Sequence, residues 1–170
     1  MDTLSHTLWG GGLFGFRARL KTALLFGALP DLASFGPWLA YRLLTGRFEP
    51  GKPELAIIPD FVFAAYDVSH SLLVASLAVA LAWRWRPELG FAMLAWPFHI
   101  LVDIPTHSRA FFPTPFLWPV SDFTIDGLSW GTPWIWYPNL AGIAVLFGDK
   151  AAARRLAVEC GVPVVPGTEG

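Results

Sequence analysis

Long stretches without formal charge restrict the fold of this chain more than any other feature. Residues 127–148 run 22 positions and residues 68–83 run 16 without Asp, Glu, Lys or Arg, with His70 the one residue of the second stretch that titrates near neutrality. A helix that crosses a bilayer needs about 20 mostly apolar residues, and several segments approach that length. Charged residues are 15% of the chain and hydrophobic ones 54%, against about 25% charged in soluble domains; mean hydropathy is +0.49. The competing reading is a soluble domain with an unusually apolar core. The pattern predicts an all-α integral membrane bundle of about four to five helices. A short amino-terminal helix over 2–16 is followed by candidate spans at 22–44, 59–83, 88–108 and 134–148. Residues 1–148 form the membrane-embedded domain, and 149–170 an amphipathic segment and loose tail.

Several classes are excluded early. The net charge is −1, and the nine arginines and three lysines form no run, so no nucleic-acid-reading face is expected. The single Cys160 excludes an internal disulfide and a multi-cysteine zinc site. Asp2 precedes the first apolar run and Arg17, Arg19 and Lys21 follow it, the reverse of a secretory signal; the segment reads as retained.

Within the apolar background lies His99-x3-Asp103-x3-His107. Residues four apart on a helix share a face, so these three are expected in one column, with Pro105 kinking the helix and turning His107 off line. Two imidazoles and a carboxylate among apolar neighbours are costly unless compensated, and all three are ordinary ligands of a divalent cation. The other histidines, His6 and His70, also lie in apolar helical segments, and Asp31 adds a carboxylate in another. These ligands can converge inside a bundle, where helical proteins build metal sites. Each has a simpler reading. His6 can be interfacial, Asp31 can cap a helix restarting after Pro30, and Asp67, three residues before His70, can orient that ring. Asp122 and Asp126 read as solvated loop residues. The 109–133 loop is rich in Pro and aromatics, and five of the nine tryptophans fall between 96 and 136; such a loop lies at a membrane interface or covers a site mouth.

Ser5-His6, Pro30-Asp31, Ser69-His70-Ser71 and His99-x3-Asp103-x-x-Thr106-His107-Ser108 resemble, in that order, the motifs of the bacterial membrane-bound metal-dependent hydrolases. That family includes an inner-membrane protein associated with LexA regulation. The resemblance covers about residues 1–148. The family in turn is similar to the zinc-dependent phospholipase C group, helical enzymes that bind a zinc cluster. The likeness implies His6, Asp31, His70, His99 and Asp103 as ligands, with Asp103 bridging two metals. No histidine follows His107, so the later H-x3-E pair of the phospholipases is missing, and Trp9 lies inside the chain where those enzymes begin with Trp.

The expected function is a multi-pass hydrolase of the bacterial inner membrane. It carries one or two divalent ions held by His6, Asp31, His70, His99, Asp103 and His107, and Asp103 or Asp31 serves as the base. Zinc is favoured by the donor set, and manganese or iron is compatible. A phosphoester in a lipid or lipid-linked substrate is expected from the phospholipase likeness. The readings from other classes are an intramembrane metal or proton carrier, and a metal-stabilised scaffold without catalysis. Basic residues at 17–21, 84–86 and 150–155 predict cytoplasmic connections there, with the 45–58 and 109–133 loops on the far side. On a straight helix His99 then lies roughly 12 Å deeper than His107.

Overall fold

A computed structural model describes residues 1–15 and 19–159, with side chains to Gly148. The readings placed on Arg17, on an amphipathic face after 149 and on the tail lie outside the described residues. All regular structure among the described residues is helical, as expected: α1 (Thr3–Phe14), α2 (Leu20–Ser34), α3 (Gly36–Leu44), a 3-10 turn (Leu55–Ile57), α4 (Asp60–Ser69), α5 (Leu72–Trp85), α6 (Pro87–Met93), α7 (Ala95–Thr106) and α8 (Pro133–Glu159).

Local chemistry explains the boundaries. Asp2 caps α1 by accepting from the Ser5 N–H at 2.9 Å. Pro37 sits in the first turn of α3, where a missing N–H costs nothing, so the chain breaks at Phe35 and not at Pro30, which α2 absorbs. Ser71 caps α5 through the Val74 N–H. The expected spans at 22–44 and 59–83 are therefore each two helices, bent by 65° between α2 and α3 and by 52° between α4 and α5. Among the described residues one run, Pro87–Thr106, is long and apolar enough to cross a membrane, and each bent pair passes the same test when taken as one unit.

The central element is α2, which packs on α1, α3, α4, α6 and α7, while α8 lies along the outer side of α1. α1 and α2 are antiparallel and close because glycines face each other: a Cβ on Gly27 would lie 2.5 Å from the His6 carbonyl oxygen, and one on Gly10 3.1 Å from Gly27 Cα. This contact sets His6 directly over α2. A small apolar core of Trp38, Ile58, Val62, Tyr66 and Phe112 joins α3 and α4 to the loop after α7.

The two ends of the bundle differ. Arg19 and Glu88 pair at 3.4 Å, which places the 19–21 turn and the α5–α6 junction at one end. α8 runs alongside α1 in the same direction, with Asn139 bonded to Ser5 at 2.8 Å and Leu146 against Gly12, so it also heads towards that end. The opposite end gathers Met1, the 48–53 loop, the start of the 106–112 segment and residues 129–131.

Candidate metal centre

Four elements bring the site together: His6 comes from α1, Asp31 from α2, His70 from the break after α4, and His99 and Asp103 from α7. His6, His70, His99 and Asp103 are each at most 2% exposed. Asp31 is in the last turn of α2 and is no cap for a restarting helix. One donor atom each from Asp31, His70, His99 and Asp103 lies within 4.8 Å of the others. The separations are 3.3 Å for His70 Nε2–His99 Nε2, 3.1 Å for His99 Nε2–Asp103 Oδ2, 3.6 Å for His70 Nε2–Asp31 Oδ1 and 3.7 Å for His99 Nε2–Asp31 Oδ1. Metal–ligand bonds of about 2.0–2.1 Å at tetrahedral angles place neighbouring ligand atoms about 3.3 Å apart. The set has coordination spacing and can hold a divalent ion.

The far side of three of the rings fixes their tautomers. His99 Nδ1 donates to the Gly27 carbonyl at 2.8 Å. His70 Nδ1 lies 3.2 Å from the Tyr66 carbonyl and 3.0 Å from Ser69 Oγ. His107 Nδ1 donates to the Phe112 carbonyl at 2.9 Å. A carbonyl can only accept, so Nδ1 carries the proton and Nε2 turns a lone pair inward, the usual arrangement around ligating imidazoles. Two such lone pairs face each other across the 3.3 Å between His70 and His99. Asp103 Oδ2 is buried without a hydrogen bond, despite its closeness to His99. A cation satisfies all three atoms at once; the donor set fits the metal that the sequence suggests.

His70 is thus oriented by Tyr66 and Ser69, and Asp67, half-buried on α4, makes no hydrogen bond or ion pair to that ring among the described residues.

Asp103 divides its two oxygens. Oδ2 faces His70 and His99, while Oδ1 lies 2.8 Å from His6 Nε2 and 3.5 Å from His107 Nε2. The terminal ammonium of Met1 rests against the same Oδ1 and is 3.2 Å from His107 Nε2. His6 is no interfacial residue: it stacks on His99 with ring centroids 3.5 Å apart, and its Nδ1 has no partner.

The column of three is corrected at its last member. α7 continues through Pro105 and ends at Thr106, and His107 is its extended cap with φ −115° and ψ 134°. The ring still returns to Asp103, so His99 and His107 approach the two oxygens of one carboxylate and are not a helix length apart. Residues 127–130 hold this geometry: Gly127, Leu128 and Trp130 N–H groups donate to the carbonyls of His107, Pro105 and Thr106 at 2.9–3.0 Å, which would otherwise be orphaned at the helix end. Burial moves the His107 imidazole below its ordinary pKa range, while Asp103 beside it acts in the opposite direction.

Tyr66 and Phe112 carry no ligand pattern, and the sequence reading missed both. Tyr66 Oη donates to the Phe112 carbonyl at 3.0 Å, lies 3.1 Å from His107 Nδ1, and its ring stacks on His70 at 3.7 Å. Phe112 has φ +48°, a left-handed conformation uncommon for a bulky residue; it aims the carbonyl at both donors. The loop expected to cover the site therefore also builds it. Beside the centre is a cavity of 620 Å³ reached by Asp31, Thr106 and His107. No family model, curated protein or solved structure matches this chain.

Proposed function

We propose that this chain is a membrane-embedded metallohydrolase that cleaves a phosphoester in a lipid or lipid-linked substrate. The observation that carries the proposal is the convergence of His70, His99, Asp31 and Asp103 at coordination spacing beside a cavity large enough for a small organic group. Asp31, His70, His99 and Asp103 Oδ2 form one ligand set; His6, His107 and Asp103 Oδ1 form a second, which an ion enters only by displacing the Met1 ammonium. Zinc is the favoured ion and one or two are held. Bound there, a divalent ion supplies Lewis-acid polarisation of a phosphoryl group and makes water a stronger acid.

The protein's own groups divide the remaining work. Asp103, fully buried, offers one oxygen to each set and is not part of the cavity lining. Asp31 lines the cavity, its Oδ2 accepts from Thr3 Oγ1 at 2.7 Å, and its Oδ1 faces the cluster. Oδ1 belongs to the ligand set, so Oδ2, held by Thr3 of the cavity lining, is the oxygen left to take the proton of the attacking water. The resemblance to membrane-bound metal-dependent hydrolases supports the same chemistry. The bacterial inner-membrane setting draws on the composition and on Pro87–Thr106 with the two bent pairs.

The test uses protein purified in mild detergent. Metal is quantified by mass spectrometry and hydrolysis of bis-p-nitrophenyl phosphate is followed for wild type and Asp103→Asn. Bound divalent metal with hydrolysis that the variant loses is the expected result. Absence of bound metal after growth in zinc-supplemented medium sinks the proposal. Metal without hydrolysis, but with zinc flux in proteoliposomes, favours a carrier; metal with neither activity favours a scaffold.

A further inference from the structure

The cavity beside the centre has chemistry at two ends. At its inner end are Asp31, Thr106 and His107; its walls include Phe35, Trp38, Leu39, Phe111 and Phe112; at its outer rim stand Arg42 and Lys52. The two rim cations are not equivalent. Arg42 is engaged: its Nε donates to the Arg47 carbonyl at 2.8 Å, Nη2 is 3.6 Å from Glu49, and the guanidinium lies 5.3 Å over the Trp38 ring. Lys52 Nζ stands 4.2 Å over the Phe111 ring and has no hydrogen bond or ion pair among the described residues. A cation over an aromatic face is held in place while its N–H donors stay available.

Phe111 and Phe112 connect this ammonium to the centre. Their rings are 5.1 Å apart, and the Phe112 carbonyl is the one that orients His107. An aromatic wall thus runs from the free cation to the ligand set. Resting on the metallohydrolase reading, we propose that the substrate is an amphiphile with two separated anionic groups: a phosphoryl group at the centre, an apolar segment along the aromatic wall, and a second phosphate or carboxylate at Lys52. Lys52 is a specificity-determining residue. Charge complementarity chooses this occupant. The loaded centre attracts one anion and the rim ammonium a second, while the lining carboxylates Asp2 and Glu49 are engaged by Ser5 and Arg42. A single-headed alkyl phosphate uses only one of the two ends.

The test is binding of phosphonates, whose carbon–phosphorus bond resists hydrolysis, to zinc-loaded full-length protein in detergent. Butane-, hexane- and decane-α,ω-bisphosphonates are compared with alkylphosphonates of equal length by calorimetry. At the length that spans the cavity, the bisphosphonate is expected to bind about tenfold tighter, the scale of one charge-assisted hydrogen bond. Lys52→Ala removes this advantage and leaves monophosphonate affinity unchanged; Lys52→Arg retains most of it. Lys52 is exposed, so the variants do not disturb the core. Equal affinities at every length, or an advantage that survives Lys52→Ala, overturns the assignment. If the advantage holds but no phosphoester is cleaved, the hydrolase reading fails alone; if phosphoesters are cleaved without it, the assignment of Lys52 fails alone.

Discussion

At the residue scale the centre depends on which atom each side chain turns inward. His70 and His99 serve Asp103 Oδ2, and His6 and His107 serve Oδ1. If both sets bind, substitutions separate into two groups. His70→Ala or His99→Ala loses one equivalent of metal, His6→Ala or His107→Ala loses the other, and Asp103→Asn keeps at most one with little hydrolysis. Mass-spectrometric stoichiometry checks this, and loss of the same ion from all four histidine variants argues for a single site. Tyr66→Phe is the subtler change. It keeps the ring on His70 and deletes the hydroxyl that binds the Phe112 carbonyl. Lost outer contacts typically weaken metal affinity about 10–100-fold, so Tyr66→Phe should release the His107-side ion at lower chelator concentration than wild type. Release at wild-type concentration would show that His107 alone orients that carbonyl.

At the element scale, the α1–α2 contact is the weak point, because His6 reaches the centre only if two helix backbones nearly touch. Gly27→Ala places a methyl 2.5 Å from the His6 carbonyl oxygen, where backbone must move. Overpacking of this kind costs roughly 1–3 kcal/mol, and here it also displaces His6 and the Gly27 carbonyl that holds His99. A lower Tm and a smaller metal-induced rise in Tm are expected in a thermal melt with and without zinc. Gly148→Ala on α8 is the control. A Cβ there meets nothing within 4 Å, and stability should stay level or rise slightly through helix propensity. Equal effects of the two substitutions would mean that helix propensity, and not close approach, is being measured. The break between α4 and α5 is a second such element. His70 occupies it with helix on either side, and the Phe116 carbonyl accepts from the Leu72 N–H at 3.0 Å, so the aromatic loop replaces a bond that the bend removes.

At the scale of the whole molecule, the basic connections and the cavity lie at opposite ends. Arg19 pairs with Glu88 at one end, and the 48–53 and 129–131 loops frame the cavity at the other. On the proposed membrane-spanning arrangement, the positive-inside rule would orient the cavity away from the cytoplasm. Single cysteines at Arg19 and Phe48, in a Cys160→Ala background, test this with an impermeant thiol reagent on intact cells. Phe48 lines the cavity mouth and is 47% exposed, whereas Thr114 is 2% exposed and unsuited to labelling. Position 48 should label and position 19 only after permeabilisation. The reverse pattern places the cavity mouth in the cytoplasm, and labelling of both on intact cells would count against the spanning arrangement.

Residue chemistry and order along the chain determined much by themselves. Six candidate ligands stood out because titratable groups in apolar helical segments need compensation; four of them, the histidines, lie within 3.7 Å of Asp103, and Asp31 joins the same group. Helical class followed from the apolar segments, and α7 from the spacing of His99 and Asp103. Only tertiary structure decided how the ligands point. Pro105 already pointed to His107 leaving the helical column, but the helix runs through that proline and ends at Thr106, where the carbonyls pair with residues 127–130, a contact between distant segments that no local spacing encodes. Tyr66, not Asp67, came to orient His70, because the bend after Ser69 turns the ring back towards the Tyr66 carbonyl. Lys52 read as one charge in a solvated loop, and its place on Phe111 exists only once the 45–58 and 109–133 loops meet over the centre. A ligand type is a property of one residue; the direction of its lone pair belongs to the hydrogen bond on the other side of the ring, and that partner comes from elsewhere in the chain.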